Sequence, residues 1–297
     1  MATLVDRSLA LLRAPGNALG YCLRRHLRWS RGDAALPHEP KDYGFGWLEP
    51  ADRPRAAARA QELRRRYDLD ELWSRSTALC WAENLALLDG LERLLGATAL
   101  PLGPDGVRRV TDVGCGVFQY ATALQRFCRG AGAAGASRVV LRGVEVDGHG
   151  VYRDGHSRAD HARAHAALAG DDVRFEVADF CGMRLPAQDV VTLLYPFLTR
   201  YALLRWGLPL ALFRPRELLA RAAATLRPGG LLVVANQTAA EFVRLCELLR
   251  PLPLQLQGTA PFASELVPYA DRTRDRAASF WLRLDGDGDA SPGRAAL

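Results

Sequence analysis

Apolar and polar positions follow two periods along this chain, and the periods separate predicted strands from predicted helices. The predicted strands are Val110 to Val113, Arg138 to Val146, Val173 to Val177, Asp189 to Leu194, Leu231 to Ala235, Gln255 to Thr259 and Ser279 to Leu284. The segments with helical spacing between them are Tyr120 to Cys128, Asp160 to Leu168, Arg214 to Leu226 and Thr238 to Leu249. Strands that alternate with helices predict an α/β fold.

The first hundred residues show helical spacing only. Pro54 to Tyr67 has the composition of a charged helix, and Asp70 to Leu95 carries an apolar stripe that Gly96 and Pro101 end. The stripe consists of Leu72, Leu79, Leu85, Leu88, Leu91 and Leu95. The predicted organisation is a helical N-terminal region over residues 1–100, an α/β domain over residues 101–284 and a disordered Gly/Asp/Ala-rich tail over residues 285–297.

The segment before His38 combines leucines at helical spacing with a cluster of arginines. The leucines are Leu9 and Leu12 before a break at Pro15-Gly16, and Leu19, Leu23 and Leu27 after it. The arginines are Arg24, Arg25, Arg28 and Arg31. One interpretation is a basic amphipathic helix that contacts anionic lipid or nucleic acid. The other, which we favour, is a helical extension that packs on the main domain and leaves its arginines in water.

Composition and charge are those of an ordinary globular protein, with 49% apolar and 24% charged residues. The net charge of +6 permits an acidic partner without requiring one. The six cysteines are scattered and form no C-x-x-C pair, which predicts reduced thiols in a cytoplasmic protein. The first residues lack the pattern of a secretory signal, and no apolar stretch has the length of a membrane span.

A glycine loop joins the first predicted strand to the next helix. The run from Val110 to Gln119 reads V-T-D-V-G-C-G-V-F-Q, so a strand ends in an acid and two glycines. Glycines allow a ligand to lie against the backbone, and the following helix points its amide groups at that ligand. A dinucleotide fingerprint requires a third glycine where Gln119 stands, which weakens that interpretation.

The run from Asp112 to Gly116 resembles motif I, D-x-G-x-G, of the class I S-adenosylmethionine-dependent methyltransferases. The resemblance extends over about Val107 to Leu284. It implies a Rossmann-like sheet of seven mostly parallel strands with a closing antiparallel hairpin. It also implies that S-adenosylmethionine binds at the loop residues Asp112, Gly114, Cys115, Gly116 and Gln119. This chain departs from the family at Phe118, where a third glycine is common.

The ends of the next two strands carry the other residues that the resemblance assigns to the cofactor. At the end of the second strand, an acid of the family accepts hydrogen bonds from both ribose hydroxyls, and Glu145 fits best, with Asp147 as the alternative. At the end of the third strand, an acid receives the adenine amino group while its neighbour packs on the ring. Asp179 and Phe180 stand at those positions.

The loop after the fourth strand is the expected transfer site. Tyr195 and Phe197 resemble in position the D/N-P-P-Y/F motif of amino-directed methyltransferases and offer aromatic faces to a sulfonium cation. The alternative for both is core packing. Leu194 takes the polar place of that motif, which disfavours methylation of a nucleobase nitrogen. We therefore expect Tyr195 to line the reacting centre and nucleic acid not to be the substrate.

Two further segments have competing interpretations. The segment from Val191 to Phe213 is apolar except for Arg200 and Arg205. One interpretation is a hydrophobic channel or a membrane-facing lip, and the other, which we favour, is simple burial in the core. Four histidines, His149, His156, His161 and His165, lie among Asp147, Asp154 and Asp160. His161 and His165 share a helical face that is able to seat a metal, but no H-E-x-x-H motif is present, so no metal is expected.

The function predicted by the resemblance is methyl transfer from S-adenosylmethionine to an unidentified acceptor, which is a small or amphiphilic metabolite. The basic segment before His38 and the apolar segment from Val191 to Phe213 favour an amphiphilic acceptor, with peripheral membrane contact through the N-terminus. Two alternatives are a methyltransferase-like module that binds without turnover, and a nucleotide- or polyamine-handling enzyme on the same sheet.

Overall fold

The computed structural model describes residues 12–41, 44–96, 98–130, 136, 138–268 and 275–285. Leu9 and residues 286–297 of the predicted tail lie outside the described residues. Among the described residues, no helix combines the length and the apolar character that crossing a bilayer requires.

A mixed sheet of seven strands forms the centre of the described structure. The strands are β1 (Val107–Val113), β2 (Arg138–Glu145), β3 (Val173–Val177), β4 (Gln188–Leu194), β5 (Leu226–Asn236), β6 (Leu254–Pro261) and β7 (Ala277–Arg283). Their order is β3-β2-β1-β4-β5-β7-β6. The pairs among β1 to β5 are parallel, whereas β7 runs antiparallel to both β5 and β6. The predicted α/β sheet with a closing antiparallel hairpin is confirmed.

Helices cover both faces of this sheet. They are α1 (Ala14–Leu27), α2 (Arg53–Arg66), α3 (Asp70–Ser74), α4 (Ala78–Leu95), α5 (Ala121–Gly130), α6 (Arg158–Ala169), α7 (Arg200–Arg205), α8 (Pro215–Thr225) and α9 (Ala239–Leu249). Short 3-10 turns occupy Phe180–Gly182 and Leu210–Leu212. The predicted helices within the α/β domain are present, and their ends differ from the prediction by one or two residues.

The predicted single helix from Asp70 to Leu95 is wrong, because it is two helices with a break between them. The Ser76 hydroxyl donates to the carbonyl of Leu72 (2.6 Å), and the Thr77 hydroxyl caps α4 by accepting from the backbone amide of Cys80 (3.1 Å). Serine and threonine compete in this way for backbone groups and so end or begin helices. The break also places Leu79 outside the apolar stripe, where its side chain is exposed.

A second difference concerns the predicted turn at Pro228-Gly229-Gly230. These residues lie within β5, which begins at Leu226, and the pairing register with β4 shifts between Gln188 and Val190. Gly229 has a φ of +73°, a conformation that favours glycine. The glycines thus form an irregularity inside a longer strand.

The described core has two apolar layers, one on each face of the sheet, and a smaller cluster of Leu203, Leu204 and Leu208 that packs against α1. Consecutive residues of β4 point to opposite layers, with Val190 in the first layer and Val191 in the second. The first layer also contains Leu63 of α2 and Leu88 of α4, packed with Leu124 of α5. The N-terminal helices and the sheet therefore share one continuous core.

Helix α1 packs on the main domain with Arg25 and Arg28 exposed, as in the interpretation that we favoured, but it does so through the side opposite its leucines. Its partly buried residues are Ala14, Asn17, Gly20, Tyr21 and Arg24. Leu19, Leu23 and Leu27 are 64%, 51% and 71% exposed. Arg24 is not left in water, since its Nε and Nη2 each donate to the Asp147 carboxylate at 3.0 Å. The arginine faces inward and the leucines face outward because the main domain offers this helix a carboxylate.

The apolar segment from Val191 to Phe213 is partly buried in the core and partly exposed at a cavity. Its strand residues and Leu203, Leu204 and Leu208 are buried. Trp206 is 53% exposed, and it also lines a cavity. Burial accounts for most of the segment, and several of its residues, Trp206 among them, line the cavity.

Candidate active site

A cavity of about 670 Å³ lies at the carboxyl ends of β1, β2 and β4. Of the predicted site residues, the cavity is lined by Gly114, Cys115, Gly116, Gln119, Glu145, Asp179, Phe180 and Tyr195. Residues from the N-terminal region and from the chain before β7 complete it, among them Trp47, Leu48, Glu83, Leu87, Phe262 and Val267. Open α/β sheets bind their ligands at this edge.

The glycine loop presents its backbone to the cavity. Gly114 and Gly116 have φ angles of +77° and +60°, which L side chains rarely adopt. A Cβ at either position would meet no atom within 4 Å, so both glycines border open space. The loop leads directly into α5, whose first amide groups lie at the end of the turn. This arrangement fits a ligand that lies against the loop backbone.

Phe118 takes the conformation of the glycine that it replaces. Its φ is +55°, and its side chain is fully buried. The ring lies over Gly143 in β2, where an added Cβ would be 2.7 Å from Phe118 Cε1. A glycine in the strand therefore makes room for the ring in the loop. The departure from the family pattern is thus accommodated without a change in the turn.

Asp112 lies beneath the loop and is not among the residues that line the cavity, and its contact with cofactor stays a prediction. Its carboxylate accepts from the hydroxyls of Thr192 (2.5 Å) and Tyr120 (2.8 Å). Full burial raises the pKa of Asp112 to about 6, although both hydroxyls oppose the shift. The carboxyl connects β1, β4 and the loop before α5, and so it fixes the position of the glycine turn.

Asn84 of α4 holds the other side of the loop, and sequence reasoning missed it. Its side-chain amide donates to the Gln119 carbonyl (2.9 Å) and the Cys80 carbonyl (2.8 Å), and its oxygen accepts from the Ala123 amide (3.3 Å). The side chain of Gln119 donates to Glu83, also on α4. The only sign of this role in the sequence was that Asn84 is a polar residue between the leucines of the apolar stripe.

Glu145 and Asp147 compete in the sequence, and the geometry separates them. The Glu145 carboxylate lines the cavity and accepts from the backbone amides of Gly116 (3.0 Å) and Asp147 (2.9 Å). Asp147 is buried outside the lining, and its carboxylate pairs with Arg24 at 3.0 Å and Arg158 at 3.5 Å. Glu145 is therefore the acid that faces the cavity, and Asp147 anchors α1.

Asp179 and Phe180 lie side by side on the cavity wall. Phe180 is buried, and the Asp179 carboxylate accepts from the Cys181 amide at 3.1 Å. Arg214, which sequence reasoning did not single out, also lines the cavity and forms an ion pair with Asp179. A ligand amino group at Asp179 therefore shares the carboxylate with a guanidinium.

Tyr195 follows β4 with a φ of +62°, which is unusual for a bulky residue. Strained backbone of this kind concentrates at functional sites. The ring meets Phe262 edge-on with centroids 6.4 Å apart, and the Arg276 guanidinium lies 5.4 Å from its centroid. Burial raises the pKa of Tyr195, so its hydroxyl stays protonated at neutral pH.

The histidine segment forms a small cluster away from the cavity. His156 Nδ1 and His161 Nε2 lie 3.4 Å and 3.1 Å from the Asp154 carboxylate. The three donor atoms are all within 4.8 Å of one another, which is close enough to share a metal ion. His165 lies outside this group. The Asp154 carboxylate lies next to both imidazoles, and the absence of a metal from the function stays a prediction.

The strand order and directions decide the fold. Five parallel strands follow the order β3-β2-β1-β4-β5, and the antiparallel strand β7 lies between β5 and β6. A glycine turn follows β1, and an acid ends β2. The chain has the class I methyltransferase fold. The arrangement that the glycine-loop resemblance implied is thereby confirmed at the level of the fold.

Comparisons with known proteins add likenesses of low identity to this methyltransferase fold. No family model and no curated protein matches the chain. The [4+2]-cyclase SpnF is 17% identical, with 69% of this chain and 84% of that chain covered and a TM-score of 0.45. Geranyl diphosphate C-methyltransferase from Streptomyces coelicolor A3(2) is 14% identical over 80% of this chain and 100% of that chain, with a TM-score of 0.46.

A third solved structure is N-methyltransferase NodS from Bradyrhizobium japonicum WM9, which is 12% identical over 69% of this chain and 97% of that chain, with a TM-score of 0.43. Matching structures are mostly methyltransferases. At these scores the likenesses carry no argument about the reaction or the acceptor of this protein.

Proposed function

We propose that this protein transfers a methyl group from S-adenosylmethionine to an acceptor held in the apolar part of the cavity. The observation that carries the proposal is the position of Glu145. Its carboxylate stands opposite two glycines that border open space, and it belongs to the cavity wall. A carboxylate accepts several hydrogen bonds and donates none, so it suits a pair of ribose hydroxyls.

The other residues of the wall fit the remainder of the same molecule. The glycine loop has no side chain at Gly114 or Gly116 to block the methionine part, which would lie against its backbone. Phe180 offers a flat apolar surface to the adenine ring, and Asp179 offers an acceptor to the adenine amino group. When bound, S-adenosylmethionine supplies an electrophilic methyl group on a sulfonium. The task of the protein is to hold the acceptor in line with it and to exclude water.

The acceptor side of the cavity is mainly apolar. Trp47, Leu87 and Phe262 line it, and the polar residues beside them include Glu83 and Ser264. Leu194 leaves no side-chain acceptor at the place where amino-directed methyltransferases grip nitrogen. These features support an acceptor with an apolar body, whether a small metabolite or an amphiphile, over a nucleobase or a polyamine.

In this proposal, Tyr195 and Glu83 each supply a polar group to the acceptor. The Tyr195 hydroxyl donates a hydrogen bond to the acceptor, and its raised pKa argues against a role as a phenolate base. The aromatic face of Tyr195 favours the cationic sulfonium. Glu83, which accepts from the Gln119 side chain, extends from α4 into the lining, and we assign it to take a proton if the acceptor loses one. A cytoplasmic location belongs to the same proposal and is supported by six free cysteines.

The test begins with calorimetric titration of the purified protein with S-adenosylmethionine and S-adenosylhomocysteine. Release of S-adenosylhomocysteine is then followed with acceptors that include phenols, fatty acids and isoprenoids, with the choice guided by mass spectrometry of co-purified ligands. Binding and turnover support the proposal. Tyr195→Phe keeps the ring and removes the hydroxyl, so it should lower turnover and leave cofactor affinity unchanged.

The alternatives give different results in the same assays. A non-catalytic module binds S-adenosylmethionine but releases no S-adenosylhomocysteine with any acceptor. A nucleotide- or polyamine-handling enzyme binds those ligands in competition with S-adenosylmethionine, or in its place. Absence of S-adenosylmethionine binding in a folded protein would overturn the proposed function outright.

A further inference from the structure

The outward side of α1 is an apolar surface. Among the described residues, thirteen large apolar side chains are exposed, and five of them lie between Leu12 and Trp29. Leu19, Leu23 and Leu27 follow one another at intervals of four residues and so share one side of the helix. Single exposed leucines are common on proteins, but a row of them on one helix is not explained by chance exposure.

The inward side of α1 is fastened by polar contacts. Arg24 binds Asp147 with two hydrogen bonds of 3.0 Å, and the side-chain amide of Asn17 donates to the carbonyls of Leu204 (2.9 Å) and Leu208 (3.2 Å). No residue of α1, all of which the structure describes, is fully buried. The helix is therefore held in an orientation that keeps its leucines in contact with the surroundings.

The chain after α1 is fastened in the same manner. The Trp29 indole donates to the Gly155 carbonyl (2.9 Å), and both Ser30 and the Arg31 backbone amide donate to the Asp160 carboxylate (2.5 and 2.9 Å). Several hydrogen bonds and an ion pair thus fix the helix at both of its ends. This fixation argues that the exposed orientation is built into the fold.

The apolar surface continues toward the mouth of the cavity. Arg24 Nη2 donates to the Gly207 carbonyl (3.5 Å), which sets α1 beside the exposed ring of Trp206. Trp29 lies beside the turn that contains Tyr152, which is 42% exposed. Trp206 and Tyr152 both line the cavity as well. The exposed apolar residues therefore reach from α1 to the cavity wall.

The charges near this surface indicate which occupant covers it. Arg13, Arg25 and Arg28 are exposed along α1 and its C-terminal cap, and residues 12–32 contain no acidic residue. Leucines on one side with arginines beside them are the pattern of a helix that lies in the interface of an anionic membrane, where long arginine side chains reach the headgroups. A second copy of the chain would bring like charges together, which disfavours a dimer through this side.

We propose that α1 is a membrane-docking helix, which lies flat on an anionic lipid surface with Leu19, Leu23 and Leu27 among the acyl chains. The helix of 14 residues is about 21 Å long, which is suited to lying in the interface and too short to cross it. Docking brings the cavity mouth at Trp206 and Tyr152 toward the lipid. Lipid binding itself does not depend on the proposed methyl transfer.

Vesicle co-sedimentation of the full-length protein tests the proposal. The probes are vesicles of phosphatidylcholine alone and of phosphatidylcholine with phosphatidylserine, at low and at high salt. We expect binding to the anionic vesicles that weakens with salt. The triple variant Leu19→Gln, Leu23→Gln, Leu27→Gln should bind about tenfold or more weakly, because binding scales with buried apolar area. Glutamine preserves helix propensity, and circular dichroism checks the fold.

Leu79→Gln is the matched control. Leu79 is a helical leucine with 50% exposure, nearly equal to the 51% of Leu23, but it lies on α4 away from the polar fastening of α1. It should not change vesicle binding, whereas Leu23→Gln alone should weaken it. Both variants should keep the cofactor affinity of the unmodified protein, so that failure of docking is distinguished from failure of the proposed function.

Three results would overturn the proposal. The first is no binding of the unmodified protein to anionic vesicles at low salt, and the second is equal binding by the triple variant. The third is a dimer in sedimentation velocity that the triple variant converts to a monomer, since the leucines would then be covered by a second copy. Arg25→Gln with Arg28→Gln should weaken binding to anionic vesicles several-fold, as headgroup attraction requires.

Discussion

The ring of Phe118 occupies the space that a side chain on Gly143 would need, since an added Cβ would be 2.7 Å from Phe118 Cε1. Gly143→Ala should therefore destabilise the protein by about 1–3 kcal/mol, the range for overpacking a core. The displaced ring belongs to the glycine loop, so affinity for S-adenosylmethionine should fall as well. Urea unfolding and calorimetry measure the two effects.

Gly182→Ala is the control for that substitution. A Cβ at Gly182 meets no atom within 4 Å, and its φ is outside the left-handed region. It should change the free energy of unfolding by about 0.5 kcal/mol or less, as a surface substitution does. Equal stability of the two variants would show that the contact between Phe118 and Gly143 is not tight.

Glu145→Ala should weaken S-adenosylmethionine binding by about 1.5–3 kcal/mol, which is the range for hydrogen bonds to a charged group. Asp147→Ala is the comparison, because its carboxylate is paired with Arg24 and Arg158 and is outside the cavity wall. Calorimetry should give a smaller loss for Asp147→Ala. The reverse order of affinities would assign the ribose to Asp147.

Asn84→Leu should destabilise the protein by about 1–3 kcal/mol, because it leaves the Gln119 carbonyl and the Ala123 amide without their buried partner. Leucine has nearly the same shape, so the effect isolates the hydrogen bonds. The loop loses its attachment to α4, and cofactor affinity should decrease with stability. Unchanged affinity in a destabilised variant would mean that α4 supports the core alone.

The buried imidazole of His165 should lower the free energy of unfolding in acid. Burial lowers its pKa to about 4, whereas an unfolded histidine titrates near 6.5. Between these values the unfolded chain binds more protons, so the free energy of unfolding falls as pH falls, by about 3 kcal/mol in total. His165→Leu removes this contribution and should become more stable relative to the unmodified protein as pH is lowered from 7 toward 4.

The comparison must be made at equal pH because Asp112 acts in the opposite direction. Its raised pKa of about 6 means that the folded protein holds a proton more strongly than the unfolded chain, so this group stabilises as pH falls through 6. Asp112 is unchanged between the two proteins, and its contribution cancels in the difference. A difference that does not vary with pH would contradict burial of a neutral His165.

The residues at strand ends were predictable from the sequence for a physical reason. Glu145 lies at the end of one predicted strand and Asp179 just after another, and parallel strands bring such ends to one edge of the sheet. The glycine turn was visible because few other residues tolerate its backbone angles. The sequence ranked Glu145 above Asp147, but the pairing that engages Asp147 was not predictable, because it depends on Arg24, a residue far away in the chain.

The orientation of α1 was not predictable for a related reason. Periodicity locates the apolar side of a helix, but only the partner surface decides whether that side is covered. Here Asp147 and the carbonyls of Leu204 and Leu208 select the polar side. Asn84 was missed because its neighbours form an apolar stripe, in which a single polar residue carries no directional signal.

The polar fastening of α1 also determines how the helix would come away from the body of the protein. Its leucines already face outward, so detachment would mainly expose Leu203, Leu204 and Leu208, which pack against Ala14 and Tyr21 of the helix. The ion pair between Arg24 and Asp147 adds a sensitivity to ionic strength, which the burial of Asp147 reduces. Detachment of α1 should therefore respond to both urea and salt, whereas global unfolding is governed by the sheet and its two apolar layers.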